Sequence, residues 1–221
     1  MAELTRKEII LALISAGSQP RLAGLDLSHL DLSHLALGYA NLAYSDLIQS
    51  DLSKADLVGA NLAGANLSNS ILQYTMLASA NLTGTDLRGA NLSRASLQWA
   101  ILNKATLGGA NCYETDLSNT RFWKADLHDA RLVKATLASA DFSEATLVKT
   151  VFTDCDLRGA SFFRANLTGA DFAGCDLSNV NFSGSNVNMF QLGKAKSLTG
   201  VTLPDGNRFE SLVGLKVSVD G

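Results

Sequence analysis

Residues 55–69 read ADLVG, ANLAG, ANLSN: three blocks of five with the same order of small, polar and apolar residues. Working outward from them, Leu, Phe, Val or Cys stands at every fifth position from Leu22 to Leu192, thirty-five positions in unbroken phase. A period of five matches neither a helix, at about 3.6 residues, nor a strand, at about 2. It predicts a solenoid, in which near-identical coils stack and each buries its apolar side only against its neighbours.

Within a block the large apolar position is called i. Position i−2 is Ala, Ser, Thr or Cys almost throughout, as at Ala40, Ala55, Ala90, Thr120, Ala145 and Cys175. Two inward residues around one outward residue describe a very short strand, so i+1 and i+2 must turn the corner. Position i−1 is mostly Asp or Asn, whose side chains accept bonds from nearby backbone donors at turns.

The A-[D/N]-L-x-x blocks over roughly 22–192 resemble the pentapeptide-repeat family. That resemblance implies an all-β fold, a right-handed quadrilateral β-helix with four blocks per coil and the i and i−2 side chains inside. The residues test the four-fold count independently. Six i positions carry Phe, and at a spacing of twenty they fall into two columns, Phe122/142/162/182 and Phe152/172, on opposite walls. At a spacing of fifteen they scatter over all three walls of a triangle. About nine coils at about 4.8 Å make a rod of roughly 40 Å.

The organisation expected is an N-terminal capping helix in 1–20, the repeats in 21–203 and a C-terminal cap or tail in 204–221. Thr5 with Glu8 is a capping-box pattern and Leu4 with Ile9 a hydrophobic staple. A helix over about 5–16 would lay Ile9, Ile10, Leu13 and Ile14 on the first coil. After Leu192 the register slips by one, to Leu198 and Leu203, before a Pro204-Asp205-Gly206 turn. Pro is absent from 21–203, as expected where each strand donates to its neighbour.

Composition excludes several functions. With 18 basic and 21 acidic residues the net charge is −3, so no strong field draws the chain to nucleic acid or an anionic membrane. The N-terminus does not read as a secretory signal and no run reaches the length of a membrane span. Three cysteines, Cys112, Cys155 and Cys175, sit at inward positions and are expected as buried free thiols, suiting a cytoplasmic location. His29, His34 and His128 fall on outward corners without a ligand set around them, so no metal or cofactor is expected. The recurring Asp and Ser follow from the repeat, a filled rod offers no deep pocket, and an enzyme is not expected.

Binding remains. Walls are named A, B, C and D, with A holding i at 22, 42, 62 and so on. Wall A carries five cations against Asp141 and Glu144, walls B and D are each acidic by three, and wall C is close to balanced. Aromatic and basic residues collect on wall A: Trp123 and Phe163 at i+1, Ile101 in place of the usual Asn, and Trp99 at the preceding corner. With Lys104, Arg121, Lys124 and Arg164 around them, these have the composition of an interaction hot spot, and they are the candidate partner-binding residues.

The expected function is a non-enzymatic protein-interaction scaffold or regulator with an unidentified protein partner, as a monomer or an end-to-end dimer. Direct nucleic-acid binding and a membrane role are not expected. The resemblance adds an alternative, since some bacterial members inhibit DNA gyrase, a role attributed to a strongly acidic rod that imitates DNA. This chain departs from that pattern by dividing a mild acidity between two opposite walls. Its uninterrupted Leu-rich repeats and Leu203-Pro204-Asp205-Gly206 ending look more like the cyanobacterial members, at least one of which is a regulator of cell differentiation acting through protein contacts.

Overall fold

The computed structural model describes residues 5–10 and 20–209. From Arg21 onward each i−1 residue forms a parallel bridge with the residue twenty positions later, Arg21 with Asn41 and Asp26 with Asp46 through to Ser161 with Asn181. At five residues per block this places four walls in each coil, in a repeat β-solenoid. Two backbone bonds make each bridge: Asp46 N donates to Leu25 O at 2.9 Å and Leu27 N donates to Asp46 O at 2.7 Å.

The strands stop after one bridge because a turn follows each time. Ala40 N donates to Leu37 O at 3.0 Å, and Tyr39 between them has φ 57°. A positive φ at the third residue with an i+3 to i bond is the pattern of a type II turn. That conformation is unfavourable for residues with a Cβ. It recurs because the i+2 N–H also feeds the ladder, as when Tyr39 N donates to Val58 O at 2.8 Å. The i−1 side chain fixes the same corner: Asp56 Oδ1 accepts from Val58 N at 3.0 Å, and Asn61 Oδ1 from Ala63 N at 3.2 Å.

The i and i−2 side chains form one continuous core. Hydroxyls inside it, that of Ser185 excepted, are bonded according to their shape. Ser45 Oγ donates to Leu42 O of its own turn at 2.7 Å, whereas Thr75 Oγ1 reaches Leu52 O of the coil before at 2.8 Å. Cys155 and Cys175 act like Thr, their thiols directed at Leu132 O (2.6 Å) and Phe152 O (2.7 Å). All three cysteines are free and buried. Burial pushes the Cys112 thiol up to about 12 and raises the Cys155 thiol as well. The two Phe columns stack within themselves, with Phe122 and Phe142 centroids 4.6 Å apart and Phe152 and Phe172 5.2 Å apart.

At the N-terminal end residues 6–10 are helical. Thr5 N donates to Glu8 Oε2 at 2.7 Å and Glu8 N donates to Thr5 Oγ1 at 3.3 Å, the reciprocal pair of a capping box. Ile9 is buried and Ile10 packs partly against the core, while Leu4, Leu13 and Ile14 lie outside the described residues. Arg6 ties this segment to the first coil through Asp31 Oδ1 at 2.8 Å and Ser33 O at 2.8 Å.

The slip of one residue expected after Leu192 is present, since the next bridges are Asp176 with Ser197 and Asn181 with Thr202, twenty-one apart. What was not expected is the helical turn Met189–Leu192, capped by Asn188 Oδ1 accepting from Gln191 N, which interrupts the ladder just before it. Val187 and Leu192 stay buried, so the five-residue phase hides the irregularity. After Pro204-Asp205-Gly206 the chain turns back, with Thr202 and Arg208 in an antiparallel bridge and Phe209 packed on the core.

Among the described residues no helix is long and apolar enough to cross a membrane, and no three His, Cys, Asp or Glu are grouped to hold a metal ion.

Candidate interaction surface

The two corner positions present side chains differently. Position i+2, in the left-handed conformation, throws its side chain outward and over the following coil, and Trp99 there is 64% exposed. Position i+1 lies flatter: Phe163 is 37% exposed and Trp123 is half-buried. The expectation that Trp123 is an open aromatic is therefore corrected. Its ring is covered by cations from its own and the preceding coil, with Lys124 Nζ 4.5 Å and Lys104 Nζ 5.4 Å from the ring centroid.

The candidate residues separate along the two edges of wall A. On the corner shared with wall D, Trp99 borders a shallow recess of about 280 Å³. Ile101 and Arg121 enter it from the middle of the wall, where they are bridged to each other, and Arg121 in turn to Asp141. On the corner shared with wall B lie Lys104, Trp123, Lys124, Phe163 and Arg164. Arg164 Cζ is 4.9 Å from the Phe163 centroid, and Lys124 Nζ is 3.4 Å from Glu144 Oε2.

Asn119, Ser139 and Asp141 also line the recess and were not anticipated from the sequence. The signal was available, because Asn119 and Ser139 follow Trp99 in the i+2 column and are smaller than it. Tyr39 (64%) and Tyr44 (76%), at i+2 on either side of wall A, are likewise more exposed than Phe163.

On walls B and D two arginines fold back onto the acid. Arg88 bonds hold the Asp86 carboxyl below the usual carboxylate range, and Arg158 does the same to Asp156. His128 pairs with Asp126 through Nδ1 at 2.9 Å.

A bridge ladder of period twenty built on five-residue turns defines a pentapeptide-repeat solenoid. The chain belongs to the pentapeptide-repeat family, matching "Pentapeptide repeats (8 copies)" over residues 37–73 and 70–109 and "Pentapeptide repeat region" over 125–200. Among solved structures it is similar to HetL, a pentapeptide repeat protein involved in heterocyst differentiation regulation from the cyanobacterium Nostoc sp. strain PCC 7120. The identity is 29%, covering 94% of this chain and all of that one, with a TM-score of 0.44. QnrB1, a plasmid-mediated fluoroquinolone resistance protein, is 15% identical over 84% of this chain and 92% of its own, at a TM-score of 0.43. A pentapeptide repeat protein of the Arabidopsis thaliana thylakoid lumen is 29% identical over 59% of this chain and 85% of its own, at 0.31. No curated protein matches the chain.

Proposed function

We propose that this protein is a non-enzymatic interaction scaffold, a right-handed quadrilateral rod of about nine coils that presents wall A to a protein partner. The N-terminal helical segment serves it as a lid on the first coil. The observation that carries the reading is the recess beside Trp99, where a strongly exposed indole, an aliphatic floor at Ile101 and the guanidinium of Arg121 adjoin on a rigid face. Exposed Trp and Arg on a preorganised surface are the residues that dominate association energies. A wall of turns fixed at each corner by a backbone bond, and beside the recess by the Asx bonds of Asn81 and Asp141, loses little freedom when a partner docks.

The acidic walls support the rival reading, a mimic of DNA directed at gyrase, less well. Arg88 and Arg158 lie against Asp86 and Asp156 at salt-bridge distances of 2.5 and 2.6 Å, which breaks the run of free negative charge. A supercoiling assay separates the two: potent gyrase inhibition, abolished by Asp-to-Asn changes on one acidic wall, sinks the scaffold reading. The direct test compares proteins retained from the native cell by wild type and by Trp99→Ala, Trp123→Ala and Phe163→Ala variants. Retention of every partner by all three excludes wall A.

A further inference from the structure

The recess beside Trp99 also constrains what docks there. We infer that it receives one apolar side chain of an extended acidic peptide, whose adjacent carboxylate is held by Arg121. This rests on wall A being the interaction surface and names the chemistry of its partner.

Size comes first. At about 280 Å³ the recess falls below the roughly 300–1,000 Å³ typical of small-molecule sites, yet it suits a single Leu- or Phe-sized side chain. Trp99 gives that side chain a large, stiff apolar wall and Ile101 gives it a floor. The rim is polar and asymmetric. Arg121 is exposed and has no carboxylate within ion-pair distance among the described residues, so its planar donors can grip an incoming carboxylate in bidentate fashion. Asp141, next along the same column, accepts Ser143 N on Oδ1 at 3.0 Å, which leaves Oδ2 to accept a peptide N–H.

Lys104, Lys124 and Arg164 on the far edge of the wall add positive potential, which favours encounter with an acidic chain. The same layout disfavours single-stranded nucleic acid. A strand carries a phosphate at every nucleotide and would set some of them against Asp141 and Glu144, whereas a peptide can place its carboxylates selectively.

The chain has two tryptophans, so full-length Trp123→Phe leaves Trp99 as the sole indole reporter. The probes are a blocked Glu-Glu-Leu-Glu-Glu peptide, its Lys-Lys-Leu-Lys-Lys counterpart and a short oligothymidylate. The acidic peptide should shift Trp99 emission to the blue and shield it from acrylamide in a saturable way. Arg121→Glu should weaken that binding by about tenfold or more, as should high salt. Undiminished binding by Arg121→Glu, equal binding of the lysine peptide, or tighter binding of the oligothymidylate would each overturn the proposal. If wall A substitutions abolish partner capture while Trp99 ignores the acidic peptide, the peptide chemistry fails and the wall A reading stands. If the peptide binds but capture is unaffected, the wall A reading fails instead.

Discussion

Phe152 and Phe162 meet edge to face across the core, with centroids 5.7 Å apart and planes at 85°. They belong to opposite walls, so the second half of the rod is held across its width by aromatic contacts as well as by the ladder along its length. Phe152→Ala should cost about 3–5 kcal/mol, because Phe142, Phe162 and Phe172, which pack on the ring, are held by their own coils and cannot close the space. In a solenoid each coil contacts only its neighbours, so the damage should be local. Hydrogen exchange should show amides near 132–172 losing protection before those near 41–81; uniform loss along the rod would contradict this.

These columns were legible in the sequence because the six Phe positions differ by multiples of ten, which a twenty-residue coil resolves into two facing columns. The corners were less legible. Tyr39 and Gly59 look unrelated in the sequence, yet the Tyr39 ring fills the space in which a Cβ on Gly59 would stand, with Cε1 2.5 Å away from that point. The rule that i+2 side chains lean over the next coil depends on a backbone angle, which residue type alone does not declare. The helical turn at Met189–Leu192 escaped for a related reason: Val187 and Leu192 keep the apolar phase while the ladder between them is broken. Trp123 was misjudged because an i+1 side chain lies flat enough for the i+2 cations Lys124 and Lys104 to reach over its ring.

The corner rule yields a double-mutant test. At Gly84, with φ 66° and open space around it, Gly→Ala should cost only the left-handed conformation, about 1–2 kcal/mol. Gly59→Ala should cost more, since the new methyl displaces the Tyr39 ring as well. Removing the ring with Tyr39→Ala should return the Gly59→Ala cost to the Gly84 value. Urea midpoints of the four variants measure the coupling, and additive effects would show that the ring moves aside freely.

Cys112 sets an alkaline limit. Its thiol titrates at about 12 in the fold against an ordinary 9.0, because burial disfavours the thiolate. The unfolded chain therefore releases this proton first as pH rises. The contribution is fully present below about pH 9 and is lost as pH climbs toward 12. Cys112→Val should flatten the fall in thermal stability over that range. A thiol reagent at neutral pH should label none of the three cysteines in the native rod and all of them after denaturation.

Asp176 sets an acid one. Ser178 donates to Asp176 Oδ1 through both its hydroxyl, at 2.6 Å, and its N–H, at 3.0 Å, and these bonds hold the carboxyl below its ordinary 3.8. A depressed carboxyl supports the fold above pH 3.8, and that support fades as pH falls through the folded value. Asn accepts the same turn bonds without titrating, as Asn181 does from Ser183. Asp176→Asn should thus leave neutral stability nearly unchanged and reduce the loss below pH 4, read from acid unfolding followed by circular dichroism.

Gln191 is where the last coil is most exposed to failure. Its own N–H is committed to the Asn188 cap, so it cannot donate to Ala170 O as a regular ladder residue would. Its side-chain Nε2 does so instead at 2.9 Å, and reaches Leu167 O at 2.8 Å. Leu167 O also accepts Ala170 N at 3.0 Å, so it keeps one partner if the amide is lost, while Ala170 O is left bare. Gln191→Leu should therefore cost about 1–3 kcal/mol despite filling the same volume with apolar atoms. Gln191→Glu should cost more, because it places a carboxylate against two carbonyl oxygens. The opening should be confined to the end of the rod: amides of Lys196 and Thr202, which donate to Cys175 O and Val180 O, should exchange faster while those of coils before Phe142 do not. If Gln191→Leu leaves the exchange of Lys196 and Thr202 unchanged, the amide is not what closes the broken ladder.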